Sequence, residues 1–216
     1  MSTQSPDSHT PLPSRMTDGR LVATLPDRAM PSLVAAVEVM VQEGVDVVSL
    51  PVAQAEQVAR LRGIFGPRAC FGIHDVDDDG QLREALEAGA EFVSLSGPDQ
   101  ELLDHCHQAG IPALVAALTP TEIRGAWRMG PAAVVVVPAE VMGSGYPEAV
   151  LPLAPGAVVT ARGGLGAYAA RRWAEAGAVA LWLDEALIGD AFRGGPLGSL
   201  RERCQTFRAA VDEPRD

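Results

Sequence analysis

The chain has no lysine: its 216 residues carry 17 basic side chains, and every one is an arginine, from Arg15 to Arg215. Chemistry that runs through a lysine amine, the Schiff base above all, is therefore excluded. Cysteine is scarce as well. Cys70, Cys106 and Cys204 are odd in number, far apart and set among apolar residues, which argues against a disulfide framework or a zinc cluster and predicts buried thiols. Aromatic residues make up only 5%, against 47% hydrophobic residues overall, so the core has to be built from Ala, Val and Leu. Positive charge is outweighed: the net charge is −11 and the pI about 4.8, and such an acidic surface does not attract nucleic acid or anionic membranes. No apolar run approaches the ~20 residues that span a bilayer, and the N-terminus has no apolar secretory core. These absences predict a cytoplasmic protein whose partner is a small molecule.

What the chain does have is a repeated beat of apolar strand, polar turn and amphipathic helix. Residues 1–18 hold Ser, Thr, Pro and Asp with no apolar period and are predicted to form a flexible tail, leaving 19–216 as one domain. Strands are predicted at 21–25, 45–50, 69–73, 91–95, 112–117, 132–137, 157–161 and 178–183. Helices are expected between them, starting with the stripe Leu33, Val37, Met40 and Val41, and several end at a glycine that feeds the next strand, as at Gly89, Gly110, Gly130 and Gly177. Strict alternation calls for parallel pairing with right-handed crossovers. Eight such units close most naturally into a (βα)8 barrel, with an open doubly wound sheet as the alternative. Leu197, Leu200, Cys204, Phe207 and Val211 mark a final helix docked on the barrel wall or on another subunit.

The most apolar stretch, residues 132–140, places four valines before Pro138-Ala139-Glu140, the pattern of a strand buried on both faces. Its ending, together with Thr119-Pro120-Thr121-Glu122 after the fifth strand, resembles the 2-keto-3-deoxy-6-phosphogluconate (KDPG) aldolase family, which carries Lys-Phe-Phe-Pro-Ala-Glu and Thr-Pro-Thr-Glu there. The second motif also reads locally as a capping box with proline at the first helical position. The resemblance runs from about residue 20 to the end and implies a single class I aldolase-like (βα)8 TIM barrel, assembled as a homo-oligomer and typically a trimer. It places Val135 at the family's Schiff-base lysine and Ser49 at its acid–base glutamate. The family's Gly-Ala-Gly-Thr-Val becomes Gly72-Ile73-His74-Asp75-Val76, its Ser-Pro-Gly becomes Leu95-Ser96-Gly97, and its Thr-Gly-Gly-Ile becomes Arg162-Gly163-Gly164-Leu165. Gly163 and Gly164 thus keep half of a phosphate cradle. The other half is replaced by Leu183-Asp184-Glu185, whose carboxylates repel a phosphate by several kcal/mol at intermediate dielectric, so Arg162 is read as holding a carboxylate instead.

In such a barrel the loops after the strands gather at one mouth. His74, Asp75, Glu140 and Asp184 are the catalytic candidates, as base, orienting group and acid, or as ligands of one divalent metal that polarises a keto acid. Ser49, Ser96, Thr119, Arg162, Gly163, Gly164 and Glu185 are the substrate-binding candidates. Taken singly, His74 also reads as an exposed loop residue, and Asp184 and Glu185 as the acidic first turn of a helix. Two further patterns carry nothing: the acidic run from Asp75 has Leu86 where a calcium loop needs glutamate, and Gly163, Gly164 and Gly166 are wrongly spaced for a dinucleotide fingerprint. No cofactor is certain, and a divalent metal is the one candidate. The function expected is a divergent aldolase-like enzyme acting on a small carboxylate-bearing or keto-acid metabolite by acid–base or metal-assisted chemistry, in specialised biosynthesis. The alternative is a non-catalytic relative serving as a binding or scaffold subunit.

Overall fold

Eight short strands pair in chain order, each parallel to the next, and the last closes on the first. The computed structural model describes residues 9–212. Along the first half run α1 (Ser14–Gly19), β1 (Leu21–Thr24), α2 (Met30–Gln42), β2 (Val47–Pro51), α3 (Ala55–Phe65), β3 (Cys70–Val76), α4 (Asp79–Glu87), β4 (Val93–Leu95) and α5 (Gln100–Ala109). The second half adds β5 (Ala113–Ala117), α6 (Pro120–Arg128), β6 (Ala133–Val136), α7 (Tyr146–Val150), β7 (Val159–Arg162), α8 (Ala167–Ala176), β8 (Ala180–Leu183), α9 (Glu185–Ile188) and α10 (Leu197–Asp212). The barrel expected from the alternation is therefore the fold.

Period-two alternation sorts the strand residues into two clusters. Val48, Leu50, Ile73, Val134 and Val136 face the helices, whereas Val22, Val47, Phe92, Leu114, Val135 and Trp182 fill the lumen. The low aromatic content is concentrated to effect here: the Phe92 ring meets Trp182 edge-on, with centroids 5.8 Å apart, and plugs the lumen. It also explains Gly72, where a Cβ would lie 2.4 Å from the Phe92 ring. Helix starts use local chemistry. Asp78 accepts a bond from the Gln81 amide and starts α4, so the acidic run there is a helix start, and Thr119 with Glu122 forms the expected capping box on α6. Cys70, Cys106 and Cys204 are free and buried, and α10 lies against α8 and α2.

The N-terminal segment differs from expectation. The predicted flexible tail is contradicted at 14–18, which belong to α1; its remaining part at 1–8 lies outside the described residues. Met16 is fully buried in the lumen cluster, so α1 closes the barrel end opposite the mouth. His9, just before it, stacks on Trp127 at 4.1 Å. A single apolar residue in a polar hexapeptide has no period to detect, yet here it fills the space beneath the strands. Replacing it should therefore behave as a core truncation: Met16→Ala is expected to lower unfolding stability by about 2–5 kcal/mol in urea titration. An unchanged midpoint would show that α1 does not support the barrel.

Candidate functional site

The mouth is built by the inward-facing residues at the carboxyl ends of the strands. On β2 and β3 these are Ser49 and His74, both buried, with Ser49 Oγ 2.9 Å from His74 Nδ1. The strand expected to end at residue 73 runs on to Val76, so His74 is not the exposed loop residue its neighbours suggested. Against β4 the register shifts between Ile73 and Val76, a bulge that inserts one residue, and Asp75 within it has φ 60°. Bulges re-aim side chains. This one sends the Asp75 carboxylate back across the mouth to Arg162 at the end of β7, with Oδ2 2.7 Å from Nη2 and 4.0 Å from His74 Nε2.

Burial, reinforced by the positive charge of Arg162 and opposed by Asp75, pushes the His74 imidazole down from 6.5 to about 4. It is neutral at pH 7. A neutral imidazole carries one proton, and the carboxylate near Nε2 favours it there; Ser49 then donates to Nδ1, leaving an Nε2–H directed to the mouth.

A second group gathers around the glycine pair. Gly163 and Gly164 both have positive φ, at 101° and 76°. A Cβ on the first would meet Pro138 Cα at 3.2 Å, and one on the second would meet Glu140 Cβ at 3.2 Å. The glycines therefore admit the chain after β6 as much as any ligand, and the Glu140 amide donates to the Gly163 carbonyl at 3.2 Å. The Gly164 amide, the expected half of a phosphate cradle, donates to Asp184 Oδ2 at 3.0 Å. Glu140 Oε1 is buried with no hydrogen-bond partner among the described residues.

Other predicted residues are used elsewhere. Thr119 is held in the α6 capping box, and Glu185 pairs with Arg193 at 2.5 Å, so neither joins the two groups around His74 and Gly164. Ser96 is exposed and lines, with Ala116, Leu118, Met129 and Val137, a pocket of about 580 Å³ on the rim. No three His, Cys, Asp or Glu side chains are placed to share a metal ion among the described residues. Sequence reasoning passed over Thr160, which is fully buried with its hydroxyl unpartnered, in register with Val135. Counting back two residues from Arg162 along the same inward face was the signal that could have found it. Val135 itself is fully buried between Ala116 and Thr160.

A closed eight-stranded parallel barrel with a polar mouth above a filled lumen is the architecture of the class I aldolase-like barrels. The chain belongs to the aldolase family described as KDPG and KHG aldolase, whose sequence pattern matches residues 12–188. Among solved structures it resembles one described as native KDPGal, at 22% identity over 99% of this chain and 98% of that one, with a TM-score of 0.80. It also resembles the 4-hydroxy-2-oxoglutarate aldolase/2-deydro-3-deoxyphosphogluconate aldolase from TTHB1, at 23% identity, 97% and 100% coverage and a TM-score of 0.79. The KDPG aldolase from Legionella pneumophila, captured with pyruvate as a covalent carbinolamine, gives 18%, 94% and 98%, and 0.76. At these identities the structural likenesses speak for the fold. No curated protein matches the chain.

The buried neutral His74 has a measurable consequence. Between about 4 and 6.5 the unfolded chain binds a proton that the folded chain does not. The stability gained by keeping His74 neutral is whole above about 6.5 and is lost progressively as the pH falls to about 4, on the order of 3 kcal/mol in all. His74→Gln should flatten that part of the stability profile. An imidazole NMR titration with an ordinary midpoint near 6.5 would contradict the assignment.

Proposed function

We propose that this barrel binds a small 2-oxo acid and moves the proton next to its carbonyl, making an enolate without forming an imine. The observation that carries this reading is the position of Asp75 Oδ2, within reach of both Arg162 Nη2 at 2.7 Å and His74 Nε2 at 4.0 Å. A ligand carboxylate that takes the place of Asp75 on Arg162 brings its 2-oxo oxygen towards the Nε2–H of His74. A neutral imidazole is suited to polarise that oxygen, because it donates a hydrogen bond without giving its proton away. A base then takes a proton from carbon 3, the C–H electron pair becomes the C2–C3 double bond, and charge develops on the oxygen facing His74. Glu140, with its buried and unpartnered Oε1, is the carboxylate for that step, and Asp184 fixes the Gly164 turn beside it.

The second reading is a binding or scaffold subunit without turnover. What favours it is that the chain's own carboxylates, Asp75 and Asp184, already occupy the two anion-receiving groups of the mouth. In either case we take the protein as a cytoplasmic homotrimer, following the family resemblance, with a place in specialised biosynthesis.

The test is deuterium exchange at the methyl group of pyruvate in D2O, followed by proton NMR. Exchange is expected without added metal and should fall at least tenfold in His74→Ala and in Glu140→Gln, the scale of a lost general acid–base group. Absence of exchange, with or without magnesium, manganese or zinc, would leave the binding reading. Asp75→Asn frees Arg162 of its competitor and is expected to tighten pyruvate binding about threefold or more, as judged by calorimetry.

A further inference from the structure

Resting on that reading, we infer that the mouth accepts a ligand with only one anionic group, a 2-oxo acid whose remaining part is uncharged and apolar. Two independent features of the mouth converge on this class.

The first is that the place for a second anion is taken. In a barrel of this kind a backbone amide at the glycine turn after β7 is the natural donor to a phosphate or a distal carboxylate. Here the Gly164 amide is held by Asp184 Oδ2 at 3.0 Å, and the Glu140 side chain lies against the same glycine. An anion arriving there would have to displace one carboxylate and approach another. Arg162 is the basic residue paired with Asp75 at the mouth, and a single ligand carboxylate satisfies it.

The second is that room for an apolar group exists on the opposite side of Val135. The rim pocket of about 580 Å³ is walled by Ala116, Leu118, Met129 and Val137. Its charged residue, Glu122, is already committed, because its Oε2 accepts bonds from the Leu118 and Thr119 amides. Ala116 stands in register with Val135, and Val135 with Thr160, two residues before Arg162. The strand that carries Ala116 and the one that carries Arg162 are thus two strands apart, on the order of 10 Å between backbones. Val137, half-buried after β6, forms part of the pocket wall.

The experiment is a ranking of dissociation constants by calorimetry for pyruvate, 4-methyl-2-oxopentanoate, 2-oxoglutarate and inorganic phosphate. We expect 4-methyl-2-oxopentanoate to bind roughly tenfold more tightly than pyruvate, from the burial of its added carbons, and 2-oxoglutarate and phosphate to bind more weakly than pyruvate. Val137→Phe should remove the preference for the branched acid, and Asp184→Asn should narrow the discrimination against 2-oxoglutarate. Tighter binding of 2-oxoglutarate or phosphate than of pyruvate would overturn the inference. Equal affinities for all the 2-oxo acids would also overturn it and would leave the rim pocket to a contact between copies of the chain. The ranking and the deuterium exchange fail separately: the expected ranking without exchange removes the enolisation alone, whereas exchange with a reversed ranking removes this inference alone.

Discussion

The packing of the lumen is what the rest of the structure depends on. In a closed parallel barrel each strand turns alternate residues inward, so a mouth residue stands directly above the lumen residue two positions before it. Phe92 and Trp182 fill the interior edge to face, Gly72 gives way to the Phe92 ring, and Met16 closes the far end. His74 is the next inward residue after Gly72, Arg162 the next after Thr160, and Asp184 the next after Trp182. Their positions are thereby set from below. The burial of His74, and with it the neutral state of its imidazole, follows from the same arrangement.

On that platform the mouth presents non-covalent groups, and the chain has no lysine to form an imine. Val135 lies buried in the lumen, and three features stand at the mouth: a neutral imidazole, an arginine and a carboxylate whose Oε1 has no partner among the described residues. Arg162 is screened by Asp75, and the Gly164 amide by Asp184. Without a ligand these two donors are satisfied, whereas the Thr160 hydroxyl has no partner among the described residues. Arg162 is half-buried, and its pair with the exposed Asp75 occupies the guanidinium while no ligand is bound.

The fold was legible in the chain because strand and helix alternate without interruption, and because the valine run and the Thr-Pro-Thr-Glu cap are both explained by local chemistry. The site was legible in part. His74, Arg162 and Asp184 stand where counting along their strands puts them, but their mutual contacts depend on a bulge and a positive φ at Asp75, which no pattern of residue types announces. Thr119 is drawn into a helix cap and Glu185 into an ion pair with Arg193, and the strength of such contacts in competition with a ligand is not written in the sequence. The helix around Met16 was hidden because one apolar residue in six has no period.

The central claim is that His74 polarises a ketone that remains a ketone. It is tested most directly by the carbon-13 resonance of pyruvate labelled at carbon 2 and bound to the protein. The account predicts a carbonyl resonance moved downfield from that of free pyruvate, as a hydrogen-bonded carbonyl should be, and returned towards the free position in His74→Ala. A bound carbonyl resonance identical to that of free pyruvate would contradict it.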